Sequence, residues 1–148
     1  MKTIELIVRG VLKHKESILL VRQKGGTYTF LPGGHIEFGE PARIALAREI
    51  REELGLPVLV NELLGVVENR WGAGNDINHE LSLIFTIDCG DLISKHTPES
   101  KEMHLEFLWH RLDDLKTANL KPLSLCKLLP DWLQRDMTSG WSSTFEDE

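Results

Sequence analysis

Residues 48–53 read Arg-Glu-Ile-Arg-Glu-Glu, which sets three carboxylates, Glu49, Glu52 and Glu53, beside Arg48 at helical spacing. Projected on a helix at about 100° per residue, Arg48, Glu52, Glu49 and Glu53 fall in that order across an arc of roughly 140°. The small side chains of Ala42 and Ala45 lie inside the arc. The pairs Glu49–Glu52 and Glu49–Glu53 bring like charges together, at a cost of a few tenths of a kcal/mol each. A cationic partner is therefore expected. Hard divalent cations take carboxylate oxygen, and Mg²⁺ characteristically uses one or two carboxylates plus waters and substrate phosphates. Were such a cation held here, the chemistry open to it would include attack of water on a phosphoryl group, with a carboxylate to accept the proton. No Ser or Cys with a neighbouring base suggests a covalent route.

The element carrying these groups is predicted as a helix over 41–54. Pro41 suits its first position, where a missing N–H costs nothing. Gly55 suits the left-handed position just past its end. Leu46, Ala47, Ile50 and Leu54 form an apolar stripe at spacings of three and four, so one face is built for a core and the adjacent face for charge. Taken alone, such a string is ordinary for a solvated helix. The segment in front of it changes the balance.

Residues 33–56 read GGHIEFGEPARIALAREIREELGL. From Gly34 there follow five residues, Glu40, seven residues, Arg48-Glu49-Ile50, one residue, Glu52-Glu53, one residue, and Gly55-Leu56. This resembles the Nudix box, G-x5-E-x7-R-E-U-x-E-E-x-G-U with U a bulky aliphatic, at every fixed position. The LPGG lead-in and the strand-like LEFLWHRLDDL towards the C-terminus also look like that family. The fold implied is α/β, the Nudix α/β/α sandwich with a mixed sheet between helices.

The resemblance implies roles at matching positions. Glu52 and Glu53 would ligate the metal, with the Gly34 carbonyl a third ligand. Glu49 would hold metal-bound water or help activate the attacking one. Arg48 would pair with a carboxylate and orient it. Gly33, Glu40, Trp71 and Glu102 are the substrate-side candidates. Of these, Gly33 allows close backbone approach to a ligand. Glu40 braces the loop–helix junction, where the helix dipole favours a carboxylate. The implied activity is Mg²⁺-dependent cleavage of a nucleoside diphosphate linked to another moiety, an NTP, nucleotide sugar or similar, with Mn²⁺ able to substitute. The other class of function is a non-catalytic Nudix module that binds a nucleotide or a protein. Such members usually lose box glutamates, and this box has lost none.

Other candidates are weaker. One further carboxylate beyond the box is expected from Glu102, Glu106 or Glu99, with Glu102 favoured at a loop-to-strand junction. Trp71 could stack on a base, and His79 and Glu80 open a strand where substrate could be touched. Arg9, Arg22 and Lys24 could meet phosphates, although isolated basic residues on strands are usually solvated. Trp109 and Trp132 read as core. The coenzyme A signature before the box is absent, as are the proline and tyrosine found beyond it in ADP-ribose and dinucleoside-polyphosphate members.

The supporting elements read as follows. Residues 3–12 and 18–23 are strands joined by a tight turn, and 28–31 is a short strand inside a Gly-rich loop. Strands are also expected at 57–68, 80–88 and 103–112, loops at 69–79 and 91–101, and a second helix at 123–135. One domain over 1–137 followed by a loosely ordered polar, acidic tail, 138–148, completes the reading.

Composition limits the partners. At 148 residues with net charge −6, the chain suits one domain and argues against an extended nucleic-acid surface. No apolar run reaches the ~20 residues of a membrane span. MKTIELIVRG lacks the features of a signal peptide. Cys89 and Cys126 lie in no metal or disulfide pattern and are expected to be reduced thiols. The expectation is a cytoplasmic protein acting on a small-molecule nucleotide, with no membrane partner; a homodimer stays open.

Overall fold

A computed structural model of the chain describes residues 2–90, 97–134 and 140–147. Its strands are β1 (Ile4–His14), β2 (Ser17–Gln23), β3 (Gly33–His35), β4 (Leu59–Trp71), β5 (Asn78–Asp88), β6 (Leu105–Arg111) and β7 (Trp141–Ser143). The α-helices are α1 (Ala42–Leu54) and α2 (Leu125–Leu133). The strands form one mixed sheet in the order β6-β2-β1-β5-β4-β7, with β3 added to β1. β1 runs parallel to β5, and β4 parallel to β7; the other pairings are antiparallel.

Both faces of the sheet are covered, which is why β2 reads as an unbroken apolar run and not as an alternation. Leu19 and Val21 point to the α1 side, where they join Val8, Leu46, Ile50 and Phe85. Ile18 and Leu20 point to the α2 side with Val11, Ile84, Leu129 and Trp132. Trp132 is buried, as the sequence predicted.

β1 and β2 pair only beside their turn, Lys13 with Ile18 and His14 with Ser17. Beyond it they part, and residues 30–35 enter the gap. Phe30 exchanges two backbone hydrogen bonds with Val21, of 2.8 and 2.9 Å, and the Gly10 N–H donates to the Pro32 carbonyl at 2.8 Å. Then Ile7, Val8 and Arg9 pair with His35, Gly34 and Gly33. A Cβ on Gly33 would overlap the Val8 carbonyl oxygen, so only glycine allows this approach.

Several expectations shift. The strand expected at 28–31 is only a pair of isolated bridges, Val21–Phe30 and Thr29–Leu120; the true strand is Gly33–His35. The glycines that read as loop are the residues thin enough to be wedged between strands. Pro41 is the N-cap, with ψ 142°, and not the first helical residue. Gly55 closes α1 at φ 72°, its N–H donating to the Arg51 carbonyl, as expected. β4 continues through Trp71 and β5 begins at Asn78, so the loop between them is shorter than predicted. α2 is narrower than 123–135, and Arg135 lies outside the described residues, as does 91–96 of the predicted loop. The tail is not loose where it is described. Trp141–Ser143 pairs with Val66–Glu68, and residues 144–147 form a 3₁₀ turn. Backbone pairing on the exposed edge of β4 supplies order that the polar composition conceals.

Candidate active site

The site is built where β3 meets α1. Arg48 is its hub. Its Nε donates to Glu40 Oε2 at 2.8 Å and its Nη2 to Glu40 Oε1 at 2.9 Å, a two-armed pair. Its Nη1 donates to Glu49 Oε1 at 3.0 Å and to Glu52 Oε1 at 3.3 Å. Nη2 also reaches the His35 carbonyl at 3.0 Å. One guanidinium thus ties the loop to two helix carboxylates. Glu40 in turn accepts the Glu37 N–H at 3.1 Å. These donors hold its carboxyl below the usual range, the Arg48 hydrogen bonds most of all. Glu40 thus joins Glu37 of the loop to Arg48 of the helix.

Glu53 is different. It is 6% exposed, although it sits among charges. Its Oε2 is fully buried without a hydrogen-bond partner. Burial is the main reason its carboxyl is pushed up to about 8, with Glu49 and Glu102 adding to the push; Arg9 and the Gly33 N–H oppose it. Beside it, Gly34 lies directly under the Glu49 carboxylate, and a Cβ at Gly34 would occupy the position of that group.

These features suit a divalent cation. An orphaned buried carboxyl oxygen needs a compensating partner, and the glycine leaves room beside Glu49. Among the described residues, no three His, Cys, Asp or Glu side chains already converge as a cage. Mg²⁺ does not require one, since it keeps several waters and takes phosphate oxygens from its substrate.

A cavity of about 630 Å³ opens on the α2 side of the sheet, floored by β4 and β5 and walled by residues 28–31 and 121–125. Tyr28, Phe30 and Trp71 give it aromatic surface; Arg9, Arg70 and Lys121 give it positive charge; Asn69, Glu80, Ser82 and Thr144 give it polar groups. Trp71 lines it and is 53% exposed. A smaller hollow, about 320 Å³, at Lys2, Thr3, Glu5 and residues 75–79 carries none of the box carboxylates.

Arg9 belongs to both the cavity and the carboxylates. It lines the cavity, donates to the Leu31 carbonyl at 3.0 Å and lies 5.5 Å from the centre of the Phe30 ring. Burial depresses its pKa, and the charges of Glu80, Glu53 and Glu49 counter that. It stands on β1 between Val8 and Gly10, both buried, and is itself only partly exposed, unlike the solvated strand arginine that the sequence suggests.

The remaining candidates separate. Glu102 joins the field around Glu53, and the adjacent Lys101 N–H donates to the Glu53 carbonyl at 2.7 Å. Glu106 is engaged by Arg22 at 2.8 Å on the β2–β6 pair. Glu99 is exposed. His79 packs against Phe145, ring centres 4.7 Å apart, while its neighbour Glu80 lines the cavity. Tyr28, Phe30 and Asn69 were not anticipated, because only the strand order assembles them. Cys89 is buried and Cys126 partly so, both free thiols.

Comparison with known proteins agrees with this fold. The NUDIX domain description matches residues 5–129. The uncharacterized Nudix hydrolase YvcI of Bacillus subtilis is 28% identical over 122 residues, 82% of this chain and 75% of its own. The ADP-ribose pyrophosphatase of Methanocaldococcus jannaschii is 36% identical over 84 residues, 55% of this chain and 48% of that one. Among solved structures, the MutT protein from Methanosarcina mazei Go1 superposes with a TM-score of 0.69 at 20% identity, covering 93% of this chain and 98% of that one. With the box complete and the family description covering β1 through most of α2, the chain belongs to the Nudix hydrolase family.

Proposed function

We propose that this protein is a Mg²⁺-dependent pyrophosphohydrolase that cleaves a nucleoside diphosphate linked to another moiety, giving a nucleoside monophosphate and a phosphorylated fragment. The observation that carries the reading is the unpartnered, buried Glu53 Oε2 next to Glu49 and the Arg48 hub. Names of relatives lend support: an ADP-ribose pyrophosphatase and an NAD-capped RNA hydrolase, NudC, are among them. The chain spans only 48% and 38% of those two proteins, so their substrates are a guide to class alone.

Glu52, Glu53, Glu49 and the Gly34 carbonyl would hold the cation. When bound, it supplies neutralisation of phosphoryl charge and acidification of water. The chain's own residues do the rest. Arg48 keeps Glu49 and Glu52 in fixed orientation. Glu49, whose carboxylate lies over Gly34, would accept the proton of the attacking water. Arg9 offers positive charge between the carboxylates and the cavity, where a diphosphate would lie. The aromatic surface of Tyr28, Phe30 and Trp71 suits a nucleoside base.

The test is a panel of nucleoside triphosphates, nucleotide sugars and ADP-ribose, incubated with Mg²⁺, with Mn²⁺ and with EDTA, the products identified by mass. Cleavage at a pyrophosphate bond in the metal arms, abolished by EDTA and restored by Mg²⁺, is expected. Full turnover in EDTA, or no cleavage of any member with metal, sinks the reading.

A further inference from the structure

The family match ends at residue 129, yet the chain beyond it enters the cavity wall. β7 sets Ser142 opposite Val67 and Ser143 opposite Glu68. It thereby delivers Thr144 to the floor, beside Asn69 and Glu80. The Thr144 hydroxyl accepts the Arg70 backbone N–H at 2.8 Å and donates to Asn69 Oδ1 at 3.1 Å, the nearer of its two acceptors, the Arg70 carbonyl lying at 3.5 Å. At the other end of the amide, Asn69 Nδ2 donates to Glu80 Oε1 at 3.3 Å. Both contacts suit one amide orientation, with Oδ1 towards the hydroxyl and Nδ2 towards the carboxylate. Phe145 anchors the segment, its ring 4.7 Å from that of His79 and 4.7 Å from the Arg70 guanidinium carbon.

We infer that Thr144 is a specificity-determining positioning residue, orienting the Asn69–Glu80 pair that meets the base of a nucleoside seated in this cavity. The inference rests on the cavity being the nucleoside end of the substrate site. A base edge presents donors and acceptors in fixed order. An amide locked in one orientation, with a carboxylate beside it, discriminates between such edges. Without the Thr144 hydroxyl only the 3.3 Å contact to Glu80 holds the amide, and an amide so weakly held turns to match either pattern. Sites that hydrogen-bond a ligand reject analogues lacking the matching group far more strongly than apolar pockets do.

The experiment reads binding and turnover separately. Quenching of tryptophan fluorescence by AMP, GMP, CMP and UMP is measured in EDTA for the wild type, Thr144→Val and Thr144→Ser. Hydrolysis of matching diphosphate substrates is measured with Mg²⁺. The wild type should separate the best from the worst monophosphate by about tenfold or more. Thr144→Val should compress that spread to about threefold and raise KM for the preferred substrate with kcat within about twofold. Thr144→Ser, which keeps the hydroxyl, should restore the wild-type ranking. The inference is overturned if Thr144→Val keeps the wild-type ranking, if Thr144→Ser fails to restore it, or if the wild type does not discriminate. A wild type that ranks the monophosphates but hydrolyses nothing sinks only the hydrolase reading.

Discussion

Arg48 and Glu40 are eight residues apart and joined by two hydrogen bonds, Nε to Oε2 at 2.8 Å and Nη2 to Oε1 at 2.9 Å. The pair locks the loop to the middle of α1, and the third nitrogen, Nη1, reaches Glu49 and Glu52. Lysine carries the same charge but concentrates it on one ammonium without a planar fork. Arg48→Lys and Arg48→Ala should each lose about 10–100-fold in turnover, the usual cost of an outer partner to a metal ligand. Thermal unfolding should shift much less, since the arginine is partly exposed. Wild-type turnover in Arg48→Lys would remove the hub from the mechanism.

The same pair predicts an acid limb of stability. Arg48 holds the Glu40 carboxyl below its ordinary 4.5. A depressed carboxyl pKa in the folded state means the unfolded chain binds more protons. The stabilisation is therefore present above the ordinary value and is lost as pH falls through the lowered one. Denaturant midpoints followed into acid should decline more gently in Glu40→Gln than in the wild type. Parallel curves would show that the pair adds nothing to folding.

Much of α1 was legible in advance because helical periodicity is local. Ile50 on the stripe, Arg48 on the charged arc and Gly55 at the cap each declare themselves within a few residues. Strand order is not local. The cavity needs Arg9 from β1, Glu80 from β5 and Asn69 from β4 side by side, and the parallel β1–β5 pairing between distant segments arranges that. Phe30 and Gly33 were misassigned for a related reason. Their backbones satisfy partners on β2 and β1, which no neighbour in sequence announces. The burial of Glu53 was half visible, since the helical projection put it at the boundary of the apolar stripe. That its carboxyl would be enclosed depended on β3 and the residues around Glu102.

Gly34 supplies a test of close approach. A methyl group there meets the Glu49 carboxylate, which must move away. Gly34→Ala should keep the fold, because the obstacle is the end of a flexible side chain. Turnover should fall by at least about tenfold, as expected when a catalytic group is displaced by the order of an ångström. A crystal structure of the variant with Glu49 unmoved, or unchanged kcat, would refute the account of this contact.

Ile50 and Glu53 are both buried on α1 and should fail in opposite ways. Ile50 is 0% exposed within the core against β1 and β5. Ile50→Ala should leave a cavity and cost about 2–5 kcal/mol of stability. Its turnover, measured well below the unfolding transition, should stay near that of the wild type. Glu53→Gln keeps the shape and supplies a neutral group where burial already disfavours charge. Stability should be retained, while kcat falls by about a hundredfold, the scale of losing a single electrostatic stabiliser. The comparison is kcat beside the denaturation midpoint for both variants at one temperature. If Glu53→Gln turned over like the wild type, the cation would have to be held elsewhere. If instead it unfolded like Ile50→Ala, Glu53 would be a structural residue of the core, and its unpartnered oxygen would no longer point to a ligand.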